Sequence, residues 1–408
     1  MIRSSKHSLK FCNKEKKESI SFLVDEYRKL LQIIVDDFWL NSQEEAIKLA
    51  FIPSEKLNTY SSILSSRLQQ ACGKQALMML KSALTKRNKQ IFVLKKLQRE
   101  NKNVHFLQSK IDRQCLVKPS CDQVNVELDS RFIDFKEEEK NLFTFIRISS
   151  IGQKKQIRIP IKETKVSRKW SSKGIRKSCI RLSKNNLFLI FDSPNAVSKG
   201  KEVLGADQGI ANTLSLSNGV STIPCVHGHN LQTILKKLSR RKKGSKGFVA
   251  ASDHRKNYIN WSLNQLDLSC CKELRLEKLF QVGKGYRKSR FLSHWNYTMI
   301  KDKLIHLGET EGFAVVEVPN EFRSQRCSSC GWVRKANRKG KMFKCSSCNF
   351  THDADLNAAS NLSLDLFKIP FWVRLKKINR NGFFWKPDGL FSESQERIVP
   401  DAKRSNEK

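Results

Sequence analysis

The sequence contains few acidic residues and no long hydrophobic run. Asp and Glu number 39 against 77 Lys and Arg. No stretch approaches the ~20 apolar residues that a transmembrane helix requires, and the N-terminal residues lack the apolar segment of a secretory signal. A strong repeat with a period of about 20 to 50 residues is also missing. We therefore expect a cytoplasmic protein without a membrane partner, and neither a secreted protein nor a repeat array.

The excess of basic residues gives the 408-residue chain a formal net charge of +38. Hydrophobic residues make up 39%, which excludes a wholly disordered chain, and the length predicts two or three domains of ~150 residues. So large a charge would strain a compact fold unless a polyanion neutralised it. Nucleic acid is the expected partner because phosphate neutralisation dominates such binding. An anionic membrane surface is the alternative, but the sequence shows no amphipathic or lipidated anchor.

The N-terminal half changes from a helical to an alternating pattern. Residues 17–40 place apolar side chains on one helical stripe, and residues 60–100 form a second helical region rich in Lys and Arg. The basic face of that region could bind phosphates or simply be solvated. Between about 103 and 200, apolar and polar residues alternate as in strands, which predicts a small β-barrel or sheet. The segments are VNVEL (124–128), FTFIRI (143–148), QIRIPI (156–161), and CIRLS and LFLIF, joined by a tight turn at Asn185-Asn186.

Beyond about residue 201, predicted strands alternate with predicted helices. KEVLGAD (201–207), KELRLEKL (272–279) and FAVVEVP (313–319) are typical of strands, whereas 254–266 and 294–308 have helical patterns. This alternation predicts a layered α/β domain. After about 366 the chain becomes aromatic and basic, and then polar to its end.

Four of the twelve cysteines form two Cys-x-x-Cys pairs, Cys327/Cys330 and Cys345/Cys348, separated by fourteen residues. Without a secretion signal we expect a reducing compartment, in which metal binding is favoured over disulfides. Two such knuckles can surround Zn²⁺ tetrahedrally, which predicts a structural zinc ribbon. Basic residues crowd the gap, so we expect the ribbon to lie against nucleic acid; they are Arg334, Lys335, Arg338, Lys339, Lys341 and Lys344.

Three carboxylates lie on predicted elements of the α/β domain. Each has an ordinary interpretation: Asp207 as a turn residue, Glu277 as a salt-bridged or edge-strand glutamate, and Asp355 as a helix N-cap. Together they would supply hard oxygen ligands from separate elements, as Mg²⁺ requires. Two such ions can activate the attacking water and stabilise the leaving oxygen of a phosphodiester. The set therefore predicts metal-dependent phosphodiester hydrolysis.

Other residue groups favour ordinary roles. Cys225-Val-His227-Gly-His229 has no common metal-site spacing, so we expect a loop. Trp261 and Trp295 could stack on bases, but their helical spacing favours core packing. The sequence leaves the role of the aromatic residues 383–385 open.

Four stretches resemble the split RuvC-like nuclease domain of the TnpB family, which is similar to the compact type V CRISPR effectors. They are GADQGIANTLSLSNG, RLEKL, VPNEFRSQRCSSCG and CSSCNFTHDADLNAASNL. The resemblance covers about 201–365, and the N-terminal half matches in outline only. It implies an RNase H-like (RuvC) fold at 201–326 and 351–366 with an inserted zinc ribbon at 327–350. It also implies a helical recognition domain at 16–102, a wedge-like β-barrel at 1–15 and 103–200, and a basic, partly disordered tail at 367–408.

The family's three acids correspond to Asp207, Glu277 and Asp355, with Glu317 as the rival for the second. The resemblance implies that these residues bind two catalytic Mg²⁺ ions and cleave double-stranded target DNA, beside a short flanking motif, as directed by a guide RNA. A nuclease-inactive RNA-guided repressor and a guide-free accessory nuclease are the alternatives. The sequence departs from the family's pattern at three positions: Gln208, Arg275 and Arg323.

Overall fold

A computed structural model describes residues 1–101, 103–115, 118–140, 143–152, 155–279 and 289–398. The chain divides into two compact units, Met1–Pro194 and Asn195–Lys408. Among the described residues, no helix combines the length and apolarity needed to cross a bilayer.

The first unit contains helices followed mainly by strands. In chain order its elements are β1 (Ile2–Ser8), α1 (Lys14–Asn41), α2 (Gln43–Lys48), α3 (Ser54–Asn58), α4 (Ser66–Arg99), α5 (His105–Cys115), β2 (Val126–Leu128), β3 (Ile133–Lys140), β4 (Phe143–Ile148), β5 (Ile157–Lys162), α6 (Lys165–Ser171), β6 (Ile175–Leu182) and β7 (Asn186–Asp192).

The long helices α1 and α4 pack against each other along the predicted apolar stripe. The buried stripe of α1 contains Ile20, Leu23, Tyr27, Leu30, Leu31 and Ile34. Helix α1 begins where the Asn13 side chain accepts a hydrogen bond from the Lys16 N–H, and Ser65 caps α4 in the same way. The helical patterns at 17–40 and 60–100 are confirmed, although α4 begins only at Ser66.

The strands of the first unit form two antiparallel sheets, in the orders β1-β7-β6-β2 and β3-β4-β5. Strands β6 and β7 make the predicted hairpin, in which Leu182 pairs with Leu187 and the Ser183 N–H donates to the Asn186 carbonyl at 2.8 Å. Along β5 and β7, every second side chain is buried. The alternation of apolar and polar residues in the sequence follows, because each sheet has one face on the core. Among the described strands hydrogen bonds form two separate sheets, so the predicted closed barrel is not confirmed.

The second unit alternates strands with helices, as the sequence predicts. Its elements are β8 (Glu202–Asp207), β9 (Ser215–Leu216), α7 (Leu231–Ser239), α8 (Lys246–Asn264), β10 (Cys271–Glu277), α9 (Arg290–Ser293), α10 (Tyr297–Glu311), β11 (Ala314–Val318), β12 (Trp332–Val333), β13 (Arg338–Lys339), β14 (Met342–Lys344), β15 (Thr351–Asp353), α11 (Ala354–Ser363), α12 (Phe371–Leu375), β16 (Phe383–Lys386) and β17 (Gly389–Phe391).

The main sheet of this unit has the order β11-β10-β8-β9, and β10 runs parallel to both β8 and β11. Helices α7, α8 and α10 cover it. Their apolar side chains pack with Leu204, Leu274 and Leu276 of the sheet in one buried core. Parallel neighbouring strands end at the same edge of a sheet. The carboxyl ends of β8 and β10 therefore lie side by side.

Two small three-stranded sheets contain the ribbon and the C-terminal segment. Strands β13, β14 and β15 form one, and β12 pairs with the C-terminal hairpin β16-β17 in the other. The structure differs here from the predicted tail, because buried Phe383, Trp385 and Leu390 share a core with Val333. Residues 399–408 of that tail lie outside the described residues.

Candidate functional site

The three predicted acids meet at the carboxyl edge of the main sheet. Asp207 is the last residue of β8 and Glu277 the last of β10. Because Ala206 pairs with Leu276, the two carboxylates leave adjacent strand ends. Asp355 lies in the first turn of α11, which packs across β8. Glu317 instead forms an ion pair with Lys301 of α10 at 2.7 Å.

Close approach to β8 places α11, and with it Asp355, over the strand end. Gly205 has no side chain, and a Cβ there would collide with the Ala359 carbonyl of the helix. The helix begins at Ala354 and is capped by Asp353, whose Oδ1 accepts from the Asp355 N–H at 2.8 Å and the Leu356 N–H at 3.1 Å. The N-cap is thus Asp353 and not Asp355. The Asp355 side chain is therefore not used as the cap and joins the acidic cluster.

The electrostatic influence of the neighbouring acids is seen at Asp207. Burial, together with the negative charges of Glu277 and Asp355, raises the pKa of Asp207 to about 7 against the opposing charges of Arg338 and Lys341. Burial also raises the pKa of Glu277, although Arg338 and a hydrogen bond from Asn320 oppose the shift. Carboxylates crowded in a poorly solvated site favour protonation unless cations neutralise them.

Two cationic side chains of the ribbon reach this cluster. Asp355 is only 6% exposed; its Oδ1 lies 3.0 Å from Arg338 Nη2, and its Oδ2 pairs with Lys341 Nζ. The sequence predicts nucleic acid as the partner of both basic residues and gives no sign of this pairing. Arg338 and Lys341 lie seventeen and fourteen residues before Asp355, too far for a local sequence pattern to indicate the contact. Only the folding of the ribbon brings them to Asp355.

The acidic cluster has the chemistry of a magnesium site. Asp207, Glu277 and Asp355 offer carboxylate oxygens from three separate elements, and Mg²⁺ prefers such hard ligands with positions left for water and phosphate. Burial is the largest cause of the raised pKa values of Asp207 and Glu277, and a bound cation would offset the cost of keeping these buried carboxylates charged. The donor chemistry of these residues fits Mg²⁺, whereas their oxygens do not gather as closely as the four ribbon sulfurs do. Their roles as metal ligands and in catalysis remain predictions.

The four ribbon cysteines converge as the sequence predicts. All four Sγ atoms lie within 4.8 Å of one another, with 3.7 Å between Cys327 and Cys348 and 3.6 Å between Cys330 and Cys345. Zn–S bonds of about 2.3 Å in a tetrahedron require S···S separations of about 3.8 Å. Burial raises the pKa of the Cys327 thiol to about 11, so zinc binding would displace a proton there. The geometry fits Zn²⁺.

The remaining residue groups singled out in the sequence, residues 225–229 and the aromatic side chains, lie in turns or pack against other residues. In the described part of the chain, the four cysteines are the only His, Cys, Asp or Glu group whose ligand atoms gather closely enough for a metal. Cys225–His229 form a turn in which the Cys225 N–H donates to the His229 carbonyl. Trp261 and Trp295 pack against the main core as expected, and Phe384 contacts Trp332 at a ring distance of 4.8 Å.

The departures from the family's pattern also have structural explanations. Arg275 donates to Glu273 at 2.6 Å and to the Ser363 carbonyl at 3.3 Å. Arg323 is buried and donates to main-chain carbonyls of residues 319, 361 and 364. Gln208 is buried directly after Asp207. Arg275 thus joins β10 to the end of α11, and Arg323 joins the segment after β11 to the same helix end.

Several known proteins resemble parts of this chain. A family model described as the Cas12f1-like TNB domain matches residues 297–362. The chain is 30% identical over 138 residues to the CRISPR-associated endodeoxyribonuclease Cas12f1 of Sulfoacidibacillus thermotolerans, a match that covers 34% of this chain and 32% of that protein. It is 28% identical over 103 residues to the TnpB-like protein L79 of Acanthamoeba polyphaga mimivirus, covering 24% and 20% of the two chains.

These alignments span a third or less of each relative's length. The structure of the mini-RNA-guided endonuclease CRISPR-Cas_phi3 superposes with a TM-score of 0.52 at 11% identity, covering 89% of this chain and 92% of that one. This likeness shows a shared fold. The resemblance of the chain to the TnpB family and the compact type V CRISPR effectors, predicted from its sequence, is therefore confirmed.

Proposed function

We propose that the protein is an RNA-guided endonuclease that hydrolyses target DNA beside a short flanking motif. The observation that carries the proposal is the convergence of Asp207, Glu277 and Asp355 at one sheet edge, next to a basic ribbon. The relatives named as Cas12f1 endodeoxyribonucleases support it. We assign residues 201–326 and 351–366 to a RuvC-like nuclease domain and 1–200 to guide and flanking-motif recognition.

In the proposed reaction Asp207, Glu277 and Asp355 would hold two Mg²⁺ ions. Such ions, when bound, supply an activated water and stabilise the leaving oxygen. The protein keeps the three carboxylates together through the β8–β10 register and the close packing of α11 on Gly205. Arg338 and Lys341 lie at the edge of the cluster, where their charges can attract a phosphodiester once cations neutralise Asp355.

The charge of +38 supports a nucleic-acid cofactor as well as a nucleic-acid substrate. A structured RNA would neutralise many Lys and Arg residues, and base pairing by that RNA would read the target sequence. The presence of all three acids argues against the nuclease-inactive repressor. A guide-free nuclease differs from the proposal in one measurable respect, because it would carry no discrete RNA.

The first test is to express the protein together with the DNA that flanks its gene and to sequence the RNA that copurifies. We expect one discrete species with a structured part and a variable end. Only heterogeneous cellular RNA would remove the RNA-guided part of the proposal.

The second test measures cleavage of a DNA target matched to that RNA, in Mg²⁺. We expect Asp207→Ala to abolish cleavage while leaving RNA and target binding nearly intact. Full cleavage by Asp207→Ala would overturn the assignment of the active site.

A further inference from the structure

Two asparagine side chains of α11 are completely buried beneath the start of the ribbon. Asn357 and Asn361 are both 0% exposed, and one helical turn separates them on the same face. A buried carboxamide is costly unless its donors and acceptors are paired. Both side chains find partners in residues 323–328, which lead into the first cysteine knuckle.

Asn357 holds the main chain on both sides of Cys327. Its Nδ2 donates to the Arg326 carbonyl at 2.9 Å, and its Oδ1 accepts from the Ser328 N–H at 3.0 Å. Cys327 is itself completely buried and is the first of the four candidate zinc ligands. The Asn357 carboxamide therefore fixes the backbone that directs the Cys327 sulfur.

Asn361 and Arg326 extend this link. Asn361 Nδ2 donates to the carbonyls of Arg326 at 2.7 Å and Arg323 at 3.0 Å, and Arg326 Nη1 donates to Asn361 Oδ1 at 2.6 Å. Arg326 Nε also donates to the Trp385 carbonyl at 2.9 Å. One buried cluster thus joins the first knuckle, α11 and the C-terminal hairpin.

We infer that Asn357, Asn361 and Arg326 are positioning residues that transmit the state of the zinc knuckle to Asp355. Asp355 lies two residues before Asn357 on the same helix. Because α11 lies directly against the backbone of β8 at Gly205, a shift of the helix changes the placement of Asp355 relative to Asp207. The inference uses the proposed function only for the role of Asp355, and the mechanical coupling stands independently of it.

The test is amide hydrogen exchange of residues 354–363 in the full-length protein, with zinc bound and after removal of zinc by a chelator. In the wild type we expect chelation to speed this exchange by about tenfold or more, since the knuckle loses its fixed geometry. Asn357→Ala should show fast exchange while zinc is still bound, and chelation should add little.

The matched control is Asn337→Ala. Asn337 is also buried, but its side chain bonds within the ribbon and its flank, to the Gln325 and Trp332 carbonyls and to Ser346. Asn337→Ala should therefore leave 354–363 protected while zinc is bound, and chelation should still release it. Metal analysis of each preparation confirms the zinc content.

Unchanged exchange in the wild type on chelation, or wild-type protection in zinc-loaded Asn357→Ala, would overturn the inference. If Asn357→Ala does not fold, the same measurement on Asn357→Asp replaces it, because this variant keeps the acceptor for Ser328 and loses the donor to Arg326. Coupled exchange together with full cleavage by Asp355→Ala would refute the proposed function and leave the coupling in place.

Discussion

Asp207 is the residue at which the acidic cluster has its largest electrostatic cost. Burial and two neighbouring acids raise its pKa from an ordinary value of 3.8 to about 7. A carboxyl group with a raised pKa in the folded state stabilises the fold below its unfolded pKa, and this contribution is lost as the pH rises through the folded pKa. The metal-free protein should therefore lose stability between about pH 4 and pH 7 at this residue.

We expect Asp207→Asn to remove this loss. Without added Mg²⁺, the free energy of unfolding of the wild type should fall between about pH 5 and pH 7, the upper part of this window, on the order of 1.4 kcal/mol per pH unit. The variant should show a smaller fall. Denaturant unfolding of zinc-loaded protein at both pH values measures the difference, and an equal pH dependence of the two proteins would contradict the pKa assignment.

Two glutamates on neighbouring strands give a matched pair for the second acid. Glu277→Gln removes a carboxylate beside Asp207, and we expect cleavage to fall by about 100-fold or more. Glu317→Gln removes only the partner of Lys301, a half-exposed ion pair with a small effect on stability, and cleavage should remain near that of the wild type. The reverse order of the two variants in a cleavage assay would assign the second acid to Glu317.

The role of a residue could be predicted from the sequence where the pattern that indicates it is local. Asp207 and Glu277 end apolar strands, and the cysteine spacing gives the ribbon directly. Arg338 and Lys341 could not be assigned to Asp355, because their pairing depends on the turn between β13 and β14. The roles of Asn357 and Asn361 were hidden for the same reason, since their partners lie about 30 residues earlier in the chain.

At the scale of elements, the contact between β8 and α11 determines the geometry of the cluster. The strand presents Gly205 to the helix backbone with no space for a side chain. Even one methyl group must therefore move the helix away from the strand, and overpacking of this kind costs about 1–3 kcal/mol.

We expect Gly205→Ala to lower the stability by that amount and to reduce cleavage strongly, because Asp355 moves with α11. Gly247→Ala is the control: Gly247 lies in the first turn of α8, and a Cβ there meets only ordinary contacts with Arg241. Thermal melting and cleavage rates measure both effects. Wild-type behaviour of Gly205→Ala would show that the strand and the helix are not in close contact.

Elements with a clear apolar pattern could be predicted, whereas the C-terminal hairpin could not. Helix α1 and strands β8 and β10 follow their sequence patterns. Strands β16 and β17 have only four and three residues and are stabilised by pairing with β12, some fifty residues away in the chain. The sequence around these two strands therefore indicated a basic, partly disordered tail, because the pairing with β12 leaves no local signal.

At the scale of the whole molecule, the positive charge controls binding and stability together. The 38 excess charges repel one another in the free protein, and a bound polyanion relieves that repulsion. Composition alone could predict this property, whereas the division into units at residue 194 could be located only approximately, because the alternating pattern continues close to that point.

We expect the copurified RNA to raise the melting temperature of the protein, because a ligand that binds the folded state stabilises it. The increase should be large at about 0.1 M salt and should fall steeply by about 0.5 M, since counterion release drives the binding. Melting curves with and without nuclease digestion of the RNA measure it. An increase that does not depend on salt would show that charge neutralisation is not its source.

The junction between the ribbon and α11 has a consequence for recombination. Strand β15 ends at Asp353, α11 begins at the next residue, and the Asp353 side chain caps the helix. With no linker between them, the ribbon is not an exchangeable cassette: a ribbon grafted from another protein would impose its own exit direction on the helix. We expect chimaeras to fold only when the donor sequence runs from the first knuckle through Ser363, the last residue of α11. All of this block except Ser363 lies within residues 297–362, which match the family model.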